Sequence, residues 1–208
     1  METLERVVYN DNTTVLYLPH LDGGGSTFGQ DVVRFVRERP GRVEHAMEWC
    51  SGPGFIGLSL LAHGLCDRLT LCDINPEAVR VAKETVRLNK LEDRVEVFES
   101  DCLDSVPPRR IDLVVSNPPH IAGEEMHPKW GPEILYRDRD WSAHRRFYAA
   151  VGRYLAPTGS VIIQENGLCS TESDFTEMIR DGGLEIVETT PSVNQYYFIW
   201  SRKTATSD

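Results

Sequence analysis

Several features that mark common protein classes are missing from this sequence. No cluster of basic residues is larger than Arg109-Arg110 or Arg145-Arg146, and the net charge is -10 with a pI near 5.1. Proteins that bind nucleic acid usually carry a basic surface, so DNA or RNA as the main partner is disfavoured. No apolar run is long enough to cross a bilayer, and the first residues lack the basic-then-apolar pattern of a signal peptide. We therefore expect no membrane partner.

The spacing of metal-binding cysteines is missing as well. The five cysteines are odd in number, and none of them forms Cys-x-x-Cys. Without an export signal, this usage is typical of reduced thiols in a cytoplasmic protein. The absence of paired ligand spacing also argues against a metal site. The cysteines are Cys50, Cys66, Cys72, Cys102 and Cys169.

The sequence shows no repeats and no low-complexity segments, and its 208 residues suit one α/β domain. Residues 1–40 are predicted to form a hairpin, a loop and a helix that pack on a core domain of residues 41–208. Strand patterns alternate with helix patterns through that core, which predicts a mainly parallel sheet with helices on both faces. The last two strands are close enough in sequence to form an antiparallel hairpin. The predicted strands cover 43–47, 68–73, 94–98, 111–116, 160–164, 184–188 and 196–200, and the helices 28–37, 56–62, 75–89, 142–154 and 171–180.

A glycine-rich turn joins the first core strand to the first core helix. It reads Glu48-Trp-Cys-Ser-Gly-Pro-Gly-Phe-Ile-Gly57 and contains a match to G-x-G-x-x-G at 52–57. Gly52 and Gly54 let the backbone turn tightly and approach a ligand closely, because neither carries a Cβ. By itself this pattern fits a dinucleotide or another adenosine cofactor.

Polar residues end four successive predicted strands. They are Glu48, Asp73, Asp101 and Asn117. Ligands of doubly wound sheets bind beyond the carboxyl ends of the strands, so we expect these side chains at one rim. Asp73 follows Glu48 by 25 residues, which is about the separation at which an acid accepts hydrogen bonds from ribose hydroxyls.

The most specific pattern is Asn117-Pro118-Pro119-His120. Two prolines fix two φ angles, remove two backbone donors and force extended conformations before them. The loop therefore presents carbonyl oxygens and the Asn117 side chain, which suits an amine, amide or guanidinium that donates N–H bonds. His120 adds a flat ring beside that group, and a base if it exchanges protons.

Together these motifs resemble those of the class I S-adenosylmethionine-dependent methyltransferases, in the branch with an Asn-Pro-Pro-aromatic signature. That branch includes protein N5-glutamine methyltransferases and related amino-group N-methyltransferases. The resemblance implies a Rossmann-like fold with a seven-stranded sheet. It also implies S-adenosyl-L-methionine as the cofactor and methyl transfer to an amide, amine or guanidinium nitrogen of a protein side chain or a small molecule. The segment Pro19 with Ser26-Thr27-Phe28 is similar to the N-terminal segment near the cofactor in the glutamine branch.

The resemblance implies roles for individual residues. The catalytic group is Asn117, Pro118 and His120, in which Asn117 and the Pro118 carbonyl bind the target nitrogen. We expect Pro119, His120, Glu124, Trp130 and Tyr136 to contact the substrate, with residues 123–140 either shaping its pocket or forming an exposed connection. The cofactor-binding residues are Thr27, Glu48, Cys50, Gly52, Gly54, Asp73, Ile74, Asp101, Cys102 and Asn117.

Three departures from the family pattern leave alternatives open. Cys50 replaces the first glycine of the turn, and His120 replaces a tyrosine or phenylalanine. About 40 residues precede the core, too few for the recognition domain of bacterial release-factor methyltransferases. A nicotinamide-dependent oxidoreductase and a catalytically silent partner subunit with this fold are the competing interpretations. A homodimer and a small activating partner subunit both remain open as assemblies.

Overall fold

A mixed seven-stranded sheet forms the centre of the molecule. The computed structural model describes residues 3–124 and 132–204. Along the sheet the strand order is β5-β4-β3-β6-β7-β9-β8. These strands are β3 (Val43–Trp49), β4 (Cys66–Asp73), β5 (Val95–Glu99), β6 (Ile111–Ser116), β7 (Leu155–Asn166), β8 (Leu184–Pro191) and β9 (Tyr196–Lys203).

The strand directions confirm the predicted fold class. The strands β3 to β7 pair in parallel, whereas β9 runs antiparallel to both β7 and β8. Consecutive parallel strands need crossover connections, and helices supply most of them. These helices are α2 (Phe55–Ala62), α3 (Pro76–Leu88), α4 (Ser142–Val151) and α5 (Glu172–Asp181).

Helix α4 and strand β7 meet earlier in the chain than predicted. The helix ends at Val151 rather than near residue 154, and β7 begins at Leu155 rather than at residue 160. The early start of β7 begins with a hydrogen bond to β6, in which the Ile111 amide donates to the Tyr154 carbonyl over 2.9 Å. A register shift between Ile111 and Leu113 then accommodates the longer strand. This pairing is between segments far apart in sequence, so the local pattern does not reveal it.

The first 40 residues lie against the core. Strands β1 (Glu5–Tyr9) and β2 (Thr13–Tyr17) form a separate antiparallel hairpin, and the amide of Leu16 donates to the Thr85 hydroxyl of α3 over 3.0 Å. Helix α1 (Asp31–Glu38) follows a short 3-10 turn over Phe28–Gln30. The predicted helix start was therefore early by about one turn. Ser26 does not cap it, since its hydroxyl donates instead to the Asp22 carboxylate.

Apolar side chains fill both faces of the sheet. On one face α2 is buried along all eight residues, which suits a helix enclosed between the sheet and the N-terminal region. On the other face Trp49 stacks on Phe147 of α4, with ring centroids 4.1 Å apart. None of the helices in the described part of the chain is long and apolar enough to cross a membrane. Packing on both faces holds the sheet in place, and with it the carboxyl ends of β3, β4, β5 and β6, which carry the polar residues predicted at strand ends.

Candidate active site

The glycine-rich turn leaves β3 through three residues with positive φ. Cys50, Gly52 and Gly54 have φ values of 51°, 51° and 90°. Left-handed backbone favours glycine because a Cβ crowds the following carbonyl. Cys50 nevertheless takes this conformation, so the cysteine at this position is compatible with the tight turn. Burial holds the pKa of its thiol well above the usual range.

The two glycines of the turn have different tasks. A Cβ on Gly52 would meet only the Leu21 carbonyl oxygen, at 3.9 Å, so this backbone is open to a ligand. A Cβ on Gly54 would lie 2.8 Å from Leu71 Cδ1, closer than real contacts allow. Gly52 therefore provides close approach on the cavity side, whereas Gly54 provides close packing of α2 on the sheet.

Glu48 lies beneath this turn at the start of α2. It is 2% exposed, and its carboxylate accepts hydrogen bonds from the amides of Gly57 at 2.7 Å and Ile56 at 3.4 Å. The first amides of a helix lack partners within it, so Glu48 satisfies two of them. Burial raises the pKa of Glu48 to about 8, against the lowering effect of these two amides. These two hydrogen bonds therefore connect the end of β3 to the start of α2.

Asp73 links the end of β4 to the same turn. Its carboxylate accepts from the amide of Gly52 at 2.6 Å and from that of Asn75 at 2.8 Å. Burial raises the pKa of Asp73, and the two amide bonds work against that effect. Asn75 in turn accepts from the Glu77 amide at 3.0 Å and caps α3, as the Asn75-Pro76 pattern predicts.

A cavity of about 420 Å³ opens above these strand ends. This volume lies in the range of small-molecule sites. The cavity lining brings together nine of the residues predicted to contact cofactor or substrate. They are Glu48, Cys50, Gly52, Asp73, Ile74, Asp101, Cys102, Asn117 and Pro119.

The other predicted residues in the described part of the chain lie outside that lining. Thr27 is exposed, and its hydroxyl donates to the Gly24 carbonyl over 3.3 Å. Glu124 forms ion pairs with Arg137 and Arg139 at 3.5 and 3.8 Å. Trp130 falls outside the described residues. The remaining four are Gly54, Pro118, His120 and Tyr136.

The Asn-Pro-Pro-His loop is fixed at the end of β6. The Ser116 hydroxyl donates to the Trp49 carbonyl over 2.5 Å and joins the loop to β3. His120 Nε2 lies 3.0 Å from Asn117 Oδ1, and His120 Nδ1 lies 3.2 Å from Glu165 Oε2. The His120 ring also meets the Tyr196 ring edge-on, with centroids 5.4 Å apart. These contacts place His120 between the predicted acceptor of the target nitrogen and a buried carboxylate.

Behind His120 lies a buried chain that the sequence analysis missed. His144 Nε2 contacts Glu165 Oε1 at 2.9 Å, and His144 Nδ1 contacts Asp138 Oδ2 at 2.6 Å. All three side chains are at most 1% exposed. We call Glu165, His144 and Asp138 the buried chain.

The pKa values within the buried chain favour charged groups. Burial lowers the pKa of His144, but the Glu165 and Asp138 carboxylates outweigh it and raise that pKa to about 9. Burial raises the pKa values of both acids, but contacts with His144 bring each below its usual range. Asp138 also accepts from the amides of Ala143 and His144 at 2.8 and 3.1 Å, at the start of α4. Asp138 lies in the segment 123–140 that was expected to shape the substrate pocket or to form an exposed connection, and its carboxylate is occupied by these contacts.

One signal could have found Glu165. It follows the predicted strand 160–164 directly, so the strand-end argument applied to β3, β4, β5 and β6 extends to β7. The register supports this, because Ser116 pairs with Ile163 and brings the end of β7 beside the loop after β6. His144 carries no such signal, since it lies in the first turn of an otherwise ordinary amphipathic helix.

Comparisons with known proteins agree with this geometry. The sequence profile described as "Methyltransferase small domain" matches residues 35–181. The release factor glutamine methyltransferase of Clostridium acetobutylicum is 39% identical over 155 residues, which are 67% of this chain and 52% of that protein. The ribosomal protein uL3 glutamine methyltransferase of Francisella tularensis is 26% identical over 129 residues, 59% of this chain and 41% of that protein. The chain thus spans about half or less of these curated relatives.

A solved structure shows the same fold at low sequence identity. The 16S rRNA N2 G1207 methyltransferase of T. thermophilus, in complex with AdoMet and guanosine, superposes with a TM-score of 0.67 and 16% identity. The match covers 97% of this chain and 50% of that one.

These findings define a class I methyltransferase fold, and the candidate site is the cavity at the carboxyl ends of its strands. The chain belongs to the methyltransferase small domain family. The predicted family is confirmed, and the nicotinamide-dependent alternative loses its support.

Proposed function

We propose that the chain is an S-adenosylmethionine-dependent N-methyltransferase that acts on a side-chain amide nitrogen of a protein. One observation carries the proposal: Asn117 and Pro119 line the same cavity as Gly52 and Asp73. The glycine turn and the acceptor loop therefore face one space. The relatives are named as glutamine methyltransferases of ribosomal protein uL3 and of a release factor, which favours a glutamine side chain over a free metabolite.

The residues of the cavity fit the cofactor. The open backbone at Gly52 leaves room for the methionine portion. Asp73 accepts hydrogen bonds, and the neighbouring Ile74, which is 46% exposed, offers an apolar surface to a base. Asp101 and Cys102 continue this wall at the end of β5. When bound, the cofactor supplies an activated methyl group, so the protein mainly has to bind and orient.

In this proposal the acceptor loop aims the target nitrogen. Asn117 Oδ1 and the Pro118 carbonyl accept its two N–H bonds and direct its lone pair toward the methyl group. The prolines keep these acceptors in place, because their φ angles are fixed. A cytoplasmic location is part of this proposal, because the substrates named for the relatives are a ribosomal protein and a release factor, both components of translation. Whether a second copy or a small subunit completes the enzyme is part of the test.

The test uses the purified protein with methyl-labelled S-adenosylmethionine and a cell extract depleted of nucleic acid. We expect label in a protein band, and peptide mass spectrometry to locate it on a glutamine side chain. Label only in small molecules, or in added RNA, would contradict the substrate class. Cofactor binding without label in any fraction would instead favour the silent partner subunit.

A further inference from the structure

The order of the strands gives a direction to the proposed cofactor site. The strands β3, β4 and β5 are neighbours in the sheet, and the glycine turn, Asp73 and Asp101 follow their carboxyl ends in that order. A ligand with its methionine portion at the turn and its ribose at Asp73 therefore extends its base toward Asp101. An adenine base presents an amino group that donates hydrogen bonds, and an ionised carboxylate accepts them.

We propose that Arg146 of α4 positions the Asp101 carboxylate for the amino group of the base, and that this arrangement makes the site select adenine over a 6-oxopurine. The inference rests on the proposed function, because it concerns the cofactor of that reaction. It goes further by giving a task to an arginine that follows no strand end, and by naming the feature of the base that the site reads.

Arg146 connects α4 to the turn that follows β5. Its Nη1 donates to Asp101 Oδ1 over 2.9 Å. Its Nη2 donates to Asp104 Oδ2 over 2.8 Å and to the Asp101 carbonyl over 3.5 Å. The planar fork of a guanidinium suits such a contact, because its donors point in fixed directions. We call the side chains of Arg146, Asp101 and Asp104 the arginine bridge.

The arginine bridge leaves one oxygen of Asp101 for a ligand. Arg146 occupies Oδ1, and among the described residues no donor forms a hydrogen bond with Oδ2. Asp101 and Arg146 both line the cavity, whereas Asp104 is not part of its lining. A change at Asp104 therefore reaches a ligand in the cavity only through the bridge or the turn.

The backbone of this turn has hydrogen bonds of its own. The Ser100 amide donates to the Asp73 carbonyl over 2.9 Å, and the Ser105 amide donates to the Ser100 hydroxyl over 3.0 Å. The Asp101 side chain, in contrast, is 57% exposed. Removal of Arg146 is therefore expected to free the Asp101 carboxylate to rotate while the backbone of the turn stays in place.

A fixed carboxylate distinguishes two kinds of purine. Adenine carries an amino donor at position 6, whereas a 6-oxopurine carries an oxygen there and a proton on the neighbouring ring nitrogen. An acceptor held opposite position 6 binds the amino group and opposes the oxygen. A carboxylate that rotates freely can turn to the ring proton of the 6-oxopurine instead. Discrimination between the two bases is therefore expected to fall when the arginine bridge is removed.

The first experiment measures binding and needs no turnover. Calorimetric titrations of the full chain compare S-adenosyl-L-homocysteine with S-inosyl-L-homocysteine, which carries the 6-oxopurine. The ratio of the two dissociation constants reports selection, because a general weakening of the site cancels from it. We expect Arg146→Gln to lower this ratio about fivefold, since the ordering of one side chain is worth about that much in affinity. Asp104→Asn should lower it about twofold, because Arg146 keeps its contact with Asp101.

The matched control is Arg145→Gln. It removes the same charge from the neighbouring residue of α4, whose side chain donates to the Asp140 carbonyl over 3.3 Å and takes no part in the bridge. We expect this variant to keep the ratio of the wild type.

Salt gives a second measurement on the same proteins. The side chains of Arg146, Asp101 and Asp104 are 45%, 57% and 70% exposed, so dissolved ions screen their attraction. The wild-type ratio should therefore fall from low to high salt, whereas the ratio of Arg146→Gln should stay constant.

The outcomes separate this inference from the proposed function. A ratio in Arg146→Gln equal to that of the wild type would overturn the inference and leave the proposed function in place. Equal losses of affinity for both ligands belong to this case, because they would mean that Arg146 only stabilises the site. A wild type that binds neither ligand would count against the proposed function, and the inference would fall with it.

Discussion

The backbone N–H of Gly52 donates a hydrogen bond to the Asp73 carboxylate across 2.6 Å. This bond joins the glycine turn after β3 to the end of β4, so the two halves of the proposed cofactor site hold each other. Asp73 thus has a task in the protein itself besides the one proposed toward ribose hydroxyls.

We expect Asp73→Ala to weaken S-adenosylmethionine binding by about tenfold or more, which corresponds to about 1.4 kcal/mol. The variant loses both the acceptor and the bond that holds Gly52. Calorimetric titration of the cofactor measures the effect. Asp67→Ala is the control, because Asp67 lies at the other end of β4 and forms an exposed ion pair with Arg42 at 2.5 Å. Equal affinities in the two variants would refute the role of Asp73.

Gly54 and Gly41 allow the effect of packing to be separated from that of backbone conformation. Both have positive φ, 90° and 74°, but a Cβ meets Leu71 at 2.8 Å only at Gly54, whereas nothing lies within 4 Å at Gly41. We expect Gly41→Ala to lower the free energy of unfolding by about 1 kcal/mol and Gly54→Ala by about 2–4 kcal/mol. Urea denaturation of both variants tests this order. Equal losses would mean that the contact with Leu71 relaxes without cost.

Asn117→Ala separates the two sides of the cavity. We expect it to retain S-adenosylmethionine binding by calorimetry and to lose methyl transfer about 100-fold or more, because the target nitrogen loses its acceptor. Turnover that matches the wild type would exclude the assigned role of Asn117. Loss of cofactor binding, by contrast, would move Asn117 to the cofactor side of the site.

The buried chain predicts a pH dependence of stability. The pKa of His144 is raised to about 9 from its ordinary 6.5. Its contribution is therefore complete below pH 6.5 and lost as the pH rises through about 9. The linked free energy is about 3 kcal/mol, because each unit of pKa shift corresponds to ~1.4 kcal/mol.

Urea denaturation at pH 6, 7.5 and 9.5 measures this dependence. The wild type should lose stability across the series, whereas His144→Gln should start lower and change less. A deficit of about 3–5 kcal/mol is expected for the variant at pH 6, since two buried carboxylates lose their cation. Parallel curves for the two proteins would show that His144 is not charged in the folded state.

The sequence by itself determined the parts of this protein that depend on local pattern. The glycine turn at 48–57, the Asn75-Pro76 helix start and the stiff loop at 117–120 each follow from the conformational limits of glycine and proline. The polar residues after four strands could be placed at one rim, because parallel strands end at the same edge. The family resemblance followed from these motifs.

The tertiary structure decided what depends on contacts between distant segments. The early start of β7 reflects its pairing with β6, and the left-handed conformation of Cys50 is set by the turn that surrounds it. Above all, side-chain contacts run from Asn117 through His120 to the buried chain of Glu165, His144 and Asp138. They join a loop, a strand and the start of a helix. Side chains from three elements meet there because parallel pairing of β6 and β7 brings their ends together, and no spacing in the sequence records that meeting.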